Sequence, residues 1–370
     1  MMASRKHESS TLFATLRRLL GNEASRLNLE SSEFDSTLQS IARLNPDELS
    51  ELLELADQHH VWVRVMALLQ HAAGLAGNDP LLRWTENELW RERARAEKDV
   101  QLLKAICDLL EQAGWPATII KSLDHWPDLG SDFDLFTRSH PEVVVSVLTK
   151  QFHARVESRS WGDRLANKWN FRVPGLSRLI EIHVKVLGQT GEQEALGCRL
   201  ENRRLFKSVA RYCFSVPAPE EQIVIATLQR MYRHFYIRLC DILDVAHLLE
   251  NNAIDFRELK TTADLGGVWP GVATFLVIVA EYANEYGFGA FELPHQVRSS
   301  ARFDSSMTYI ARQYVRVPIL PQAAGLYLSQ LLSSGSKVKL STTLRLSLLP
   351  PLAAAAFLGT KITGSDKGIW

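Results

Sequence analysis

The spacing of apolar residues changes character twice along the chain. Residues 45–114 repeat at helical intervals, 115–215 break into short β-branched or alternating runs, and 216–290 return to helical spacing. This order predicts an α+β fold in which a small mixed sheet is flanked by N-terminal and C-terminal helical regions. Extensions cover 1–44, Ser-rich and expected to be partly disordered, and 291–370. Within the first, residues 11–20 form an amphipathic piece with Leu12, Leu16, Leu19 and Leu20 on one face.

Local signals place the elements. Asn45 as N-cap, Pro46 at the first position and Glu48 three residues on make a capping box, and Leu49, Leu52, Leu53 and Ala56 form the buried stripe behind it. His59 and His60 end that pattern as an adjacent pair with no ligand partner at tetrahedral-site spacing, so they read as surface or packing residues. A helix over 84–113 has a charged, solvated first half and is stopped by Gly114 and Pro116. Strands are expected at 117–120 and 132–136, a helix at 141–151, two strands within 152–172 joined by a loop at 161–166, and a strand at 178–187. One continuous helix is expected over 219–251 and a nearly apolar one over 271–286.

The candidate chemistry lies in the sheet region. A strand's period of two turns Asp132 and Asp134 to one face, where two carboxylates on a half-buried surface require a neutralising cation. An isolated Asp-x-Asp is also the pattern of a solvated strand face. In the strand at 178–187, Leu179, Glu181, His183 and Lys185 alternate with Ile180, Ile182, Val184 and Val186, which puts Glu181 and His183 on one face. His183 reads equally as a partner of that site or as an ordinary strand residue.

The run Lys121-Ser122, turn, Gly130-Ser131, Asp132-Phe133-Asp134, with Glu181-Ile182-His183 after it, resembles the DNA polymerase beta-like nucleotidyltransferase superfamily. Within it, the likeness is to a bacterial, largely uncharacterised nucleotidyltransferase family, over residues 45–279. The resemblance implies metal-dependent transfer of a nucleoside monophosphate from an NTP, ATP included, to an unidentified small-molecule or protein acceptor, with release of pyrophosphate. It implies Asp132, Asp134 and Glu181 as catalytic and metal-binding residues for Mg2+ or Mn2+. Lys121, Ser122, Gly130, Ser131, His183 and Lys185 are its expected nucleotide contacts. Many relatives carry Lys-Gly at the end of the first strand, then a helix and an Arg before the acids. This chain has Lys121-Ser122, a shorter connection and no such Arg, so Gly130-Ser131 is expected to make the close backbone approach to phosphate. The same departures favour a catalytically degenerate binding module as the alternative.

Composition changes the picture only at the margins. Lys plus Arg and Asp plus Glu are each 42, so no overall field marks a nucleic-acid binder. Arginines and lysines do crowd the middle third, from Arg155 to Arg211, as a salt-bridged surface or a phosphate-binding patch; the second reading supports a toxin-like RNA nucleotidyltransferase as a further alternative. Asp241 and Asp244 read as members of a structural ion pair; the resemblance, in which a helix of this type packs beside the active site, implies instead that one of them orients an Arg or touches the nucleotide. Four scattered cysteines without a Cys-x-x-Cys fit a reducing cytoplasm, and no signal peptide is legible. The run at 346–359 is apolar but too short to span a bilayer and is broken by Pro350-Pro351, so it is expected to dock as a helix or bind a protein partner.

Overall fold

The computed structural model describes residues 44–336 and 340–352, together with 13–17, 20 and 41. Helix α1 (Pro46–Gln58) starts as its sequence dictates: Asn45 Oδ1 accepts the Asp47 and Glu48 N–H groups, and Glu48 Oε2 accepts the Asn45 N–H at 2.9 Å. Helices α2 (Trp62–Leu75) and α3 (Asp79–Gln112) follow. Helix α3 begins at Asp79 rather than 84, because Asn78 caps the Leu81 N–H and Pro80 suits the first turn. Gly114, at φ +83, turns the chain out of it.

The central sheet has the order β1-β2-β5-β4-β3, from β1 (Thr118–Ile119), β2 (Asp132–Thr137), β3 (Arg155–Val156), β4 (Lys168–Arg172) and β5 (Leu179–Val184). Only β2 and β5 pair in parallel; every other pairing in this sheet is antiparallel. Phe133, Leu135, Ile180, Ile182 and Val184 pack with Val100, Leu103, Ile106 and Leu110 of α3 and with Val144 and Leu148 of α4 (Pro141–Phe152). The opposite face of β2 and β5 carries Asp132, Asp134, Glu181 and His183, while Phe136 at its end joins the other hydrophobic core. Helix α5 (Trp161–Leu165) occupies the expected loop at 161–166, because Ser160 and Asp163 form a capping box strong enough to nucleate a short turn of helix.

Helix α6 (Glu194–Asn202) and the hairpin β6 (Arg204–Val209) to β7 (Tyr212–Pro217) lead to the C-terminal half. The expected helix over 219–251 is interrupted. Helix α7 (Pro219–Gln229) runs into a π-helical turn at Arg230–His234, Phe235 takes φ +56, β8 (Tyr236–Ile237) crosses, and α8 (Leu239–Glu250) resumes. The apolar repeat carries no sign of this break because both flanking helices bury their stripes in one core. After α9 (Phe256–Leu265), the buried α10 (Trp269–Glu285) and α11 (His295–Ser300), strands β9 (Tyr309–Ala311) and β10 (Tyr314–Arg316) join β8 in a second sheet. Helices α12 (Ala324–Ser336) and α13 (Leu340–Ser347) follow, and a further helical turn at 349–352 ends the described chain.

Packing divides the molecule differently from the sequence. Leu52, Leu55, Val65 and Leu69 of the N-terminal helices share a core with Ile223, Ile242, Phe275 and Val315 of the C-terminal half, and Phe13, Leu16 and Leu20 are buried in it too. The sheet keeps its own core. Leu346 is buried, while the apolar run from residue 353 onward lies outside the described residues. Among the described residues no helix is long and apolar enough to cross a membrane.

Candidate metal centre

Parallel register decides the site. Asp134 stands opposite Glu181 and Phe136 opposite His183, so alternation turns Asp132, Asp134, Glu181 and His183 to the face away from the sheet core. Ligand atoms of Asp134, Glu181 and His183 all lie within 4.8 Å of one another. His183 Nε2 is 3.0 Å from Glu181 Oε1 and 3.7 Å from Asp134 Oδ1.

Two lysines balance the acids. Lys121 Nζ lies 2.7 Å from Asp134 Oδ1, and Lys168 Nζ lies 3.0 Å from Glu181 Oε2 and 2.9 Å from Asp163 Oδ1. Burial would raise the Glu181 carboxyl, but the His183 hydrogen bond and the Lys168 and Lys121 ammoniums outweigh it and hold the group well below its ordinary range. Asp132 behaves oppositely. Burial, then the charges of Asp134 and Glu181, push its carboxyl up to about 6, although Ser131 Oγ donates to it at 3.0 Å.

The residues expected to converge therefore separate in part. Asp134 and Glu181 come together with His183, whereas Asp132 lies outside the cluster of ligand atoms, near enough to feel both acids. Asp134 Oδ1 is buried without a hydrogen bond and is held only by ion pairing, the condition in which a carboxylate oxygen suits a cation. Two carboxylates and an imidazole suit Mn2+ at least as well as Mg2+, because magnesium favours oxygen donors throughout.

The expected nucleotide contacts fall in different places. Lys121 takes φ +87, a left-handed conformation uncommon for a side chain with a Cβ, and this turns its ammonium onto Asp134. Ser122 is buried, and its Oγ accepts the Asp134 N–H at 2.7 Å, so it fixes the acid-bearing strand. Gly130 is not left-handed; its carbonyl accepts from Arg178 Nε at 2.6 Å, and a Cβ there would meet the His60 ring at 3.0 Å. A side chain at this position would need the His60 ring to give by a few tenths of an ångström. Ser131 is exposed beside Asp132. Lys185 does not share the Glu181 face as expected: β5 ends at Val184, Lys185 turns at φ +67, and its Nζ sits 3.2 Å from His140 Nδ1.

Most of the middle third's cations are engaged within the protein. Arg155 and Arg172 pair with Glu157, Arg178 with Asp99 and Glu92, and Arg199 and Arg203 with Glu221 and Glu258. Asp241 pairs with the buried Arg230 at 2.7 Å and accepts the Arg238 N–H, the structural role of the two it was given. Arg233 and His234 escape this pattern: with Lys121 and His183 they line a cavity of about 650 Å3 that Leu228, Ile319 and Tyr327 also line. Sequence reasoning missed both, since they sit in the unforeseen π-helical turn.

No family model and no curated protein matches this chain. Among solved structures it is similar to an antigenic nucleotidyltransferase-like protein from Paracoccidioides brasiliensis, at 14% identity over 54% of this chain and 95% of that one, with a TM-score of 0.34. A likeness at that level carries no argument about fold or function.

Proposed function

We propose that the protein is a metal-dependent nucleotidyltransferase that moves a nucleoside monophosphate from an NTP to a small-molecule or protein acceptor. The observation that carries this reading is the meeting of Asp134, Glu181 and His183 on one sheet face, with Asp132 beside them and a cavity opening past Lys121. When bound, Mg2+ or Mn2+ supplies neutralisation of the triphosphate oxygens. Asp134 and Glu181 would hold the cation, with His183 as a third donor or as the group that orients Glu181. An acceptor O–H or N–H attacks the α-phosphorus, its bond to the pyrophosphate oxygen breaks, and the acceptor proton passes to a carboxylate. Asp132 suits that role, because Asp134 and Glu181 would hold the cation while Asp132 lies beside them, outside the cluster of ligand atoms. Lys121 and Arg233 would face the departing phosphates.

One observation favours a binding module without chemistry. Lys121 and Lys168 already neutralise Asp134 and Glu181, so a cation must compete with both ammoniums. The RNA-directed reading loses support from the internal pairing of the middle third's arginines. Incubating the protein with each NTP, Mg2+ or Mn2+ and a cell extract, with mass spectrometry for a nucleotide-sized increase, tests the proposal. Metal-dependent NTP consumption that Asp134→Asn abolishes is the expected result; no consumption with either metal leaves the binding module as the reading.

A further inference from the structure

Away from the acids, the fold brings together three side chains that the sequence keeps far apart. His60 follows α1, His125 lies in the turn after β1, and Cys240 is the second residue of α8. Their ligand atoms all lie within 4.8 Å of one another, and the two imidazole rings stand at 77° with centroids 5.8 Å apart. Cys240 is fully buried. His125 Nδ1 is hydrogen-bonded to Asp244 Oδ2. An imidazole whose Nδ1 is held by a carboxylate presents Nε2 as its remaining donor, the arrangement that orients metal-bound histidines. A cavity of about 640 Å3, lined by His125, Asp124 and Asp244, meets the cluster at His125, and Asp124 Oδ1 is buried without a hydrogen bond.

We propose that His60, His125 and Cys240 form a site for a borderline-soft divalent cation, Zn2+ by its donor set, distinct from the site of Asp134, Glu181 and His183. Two imidazoles and a thiolate leave one coordination position for water or a further ligand, and these donors select zinc over magnesium. Binding replaces the Cys240 S–H bond by a sulfur–metal bond and releases that proton to solvent. The cation would tie the end of α1 and the start of α8 to the turn that precedes the acid-bearing strand. Arg238 opposes it: its Nη1 lies 2.9 Å from His60 Nε2 and 3.4 Å from His60 Nδ1, so loading through Nε2 requires the guanidinium to release that lone pair.

The test uses the full chain, stripped with chelator and titrated with Co2+ as a coloured substitute for Zn2+. One cobalt per chain should bind with a near-ultraviolet thiolate-to-metal charge-transfer band, and added Zn2+ should erase it. The band should vanish in Cys240→Ser and persist in Cys213→Ser and in Asp134→Asn. Asp244→Asn should keep the band and weaken the affinity about 10- to 100-fold. Folded wild-type protein that binds cobalt without the band, or binds none, overturns the proposal even if Cys240→Ser fails to fold. So does a band that survives Cys240→Ser.

Discussion

Asp134 and Glu181 stand at the same register of the parallel strands β2 and β5, and each is met by its own ammonium, Lys121 at 2.7 Å and Lys168 at 3.0 Å. Like charges on adjacent buried strands repel, so the lysines stabilise the metal-free fold and also compete with any cation for the same oxygens.

Removing one acid should separate chemistry from folding. Asp134→Asn is expected to lower nucleotide transfer at least about 100-fold, since each 1.4 kcal/mol lost from the transition state is about tenfold in rate. The Asp134 N–H to Ser122 bond and the strand pairing do not involve the carboxylate, so the far-ultraviolet spectrum should be unchanged. Turnover at the wild-type rate in this variant removes Asp134 from the chemistry.

Lys121→Met should split binding from turnover. Loss of an ammonium 2.7 Å from Asp134 frees the carboxylate, and Mn2+ affinity is expected to rise about tenfold. Turnover should fall over the same comparison, because a cation facing the phosphates is gone. Calorimetric titration with Mn2+ reads the first and steady-state assay the second; weaker Mn2+ binding would show that Lys121 supports the cation site instead of competing for it.

Arg178 should matter for stability. It pairs with the buried Asp99 and with Glu92, and it holds the Gly130 carbonyl just before the acids. Arg178→Met leaves Asp99 with only the Ser177 N–H and hydroxyl, and is expected to cost about 3–5 kcal/mol in urea denaturation. A cost below about 1 kcal/mol would place the pair in the weak class of exposed surface bridges.

Acid should destabilise the protein partly through His234. Burial first, then Arg233, Arg230 and Arg238, lower its pKa from 6.5 to about 2. The unfolded chain binds a proton below about 6.5 that the folded one refuses, so this contribution is fully present above that pH and is lost as pH falls. The loss is at most about 1.4 kcal/mol per pH unit, less for a partly exposed ring. In His234→Phe the fall in melting temperature between pH 7 and pH 5 should be smaller than in wild type. An equal fall would show that other groups set the acid limb.

How much of this was legible in the chain depends on the range of the interaction. The capping box at Asn45, the stop at Gly114, the strand carrying Asp132 and Asp134, and the alternation around Glu181 are local: neighbouring residues compete for the same backbone groups, and sequence records that competition. Whether Asp134 and Glu181 meet depends on parallel pairing across 47 residues of register, from Asp134 to Glu181, and no local pattern encodes it. The π-helical turn at Arg230–His234 was hidden because its flanks bury their stripes in one core, and with it went Arg233 and His234. His60 shows the same limit from the other side. Beside His59 it has no ligand partner in sequence, and only the packing of α8 and the turn after β1 brings Cys240 and His125 to it. The chain by itself determined which residues could be acids, caps and strands, because those are properties of a few adjacent residues. Which of them share a site was decided by tertiary packing, because charge compensation and ligand geometry act over a few ångströms of space and are blind to distance along the chain.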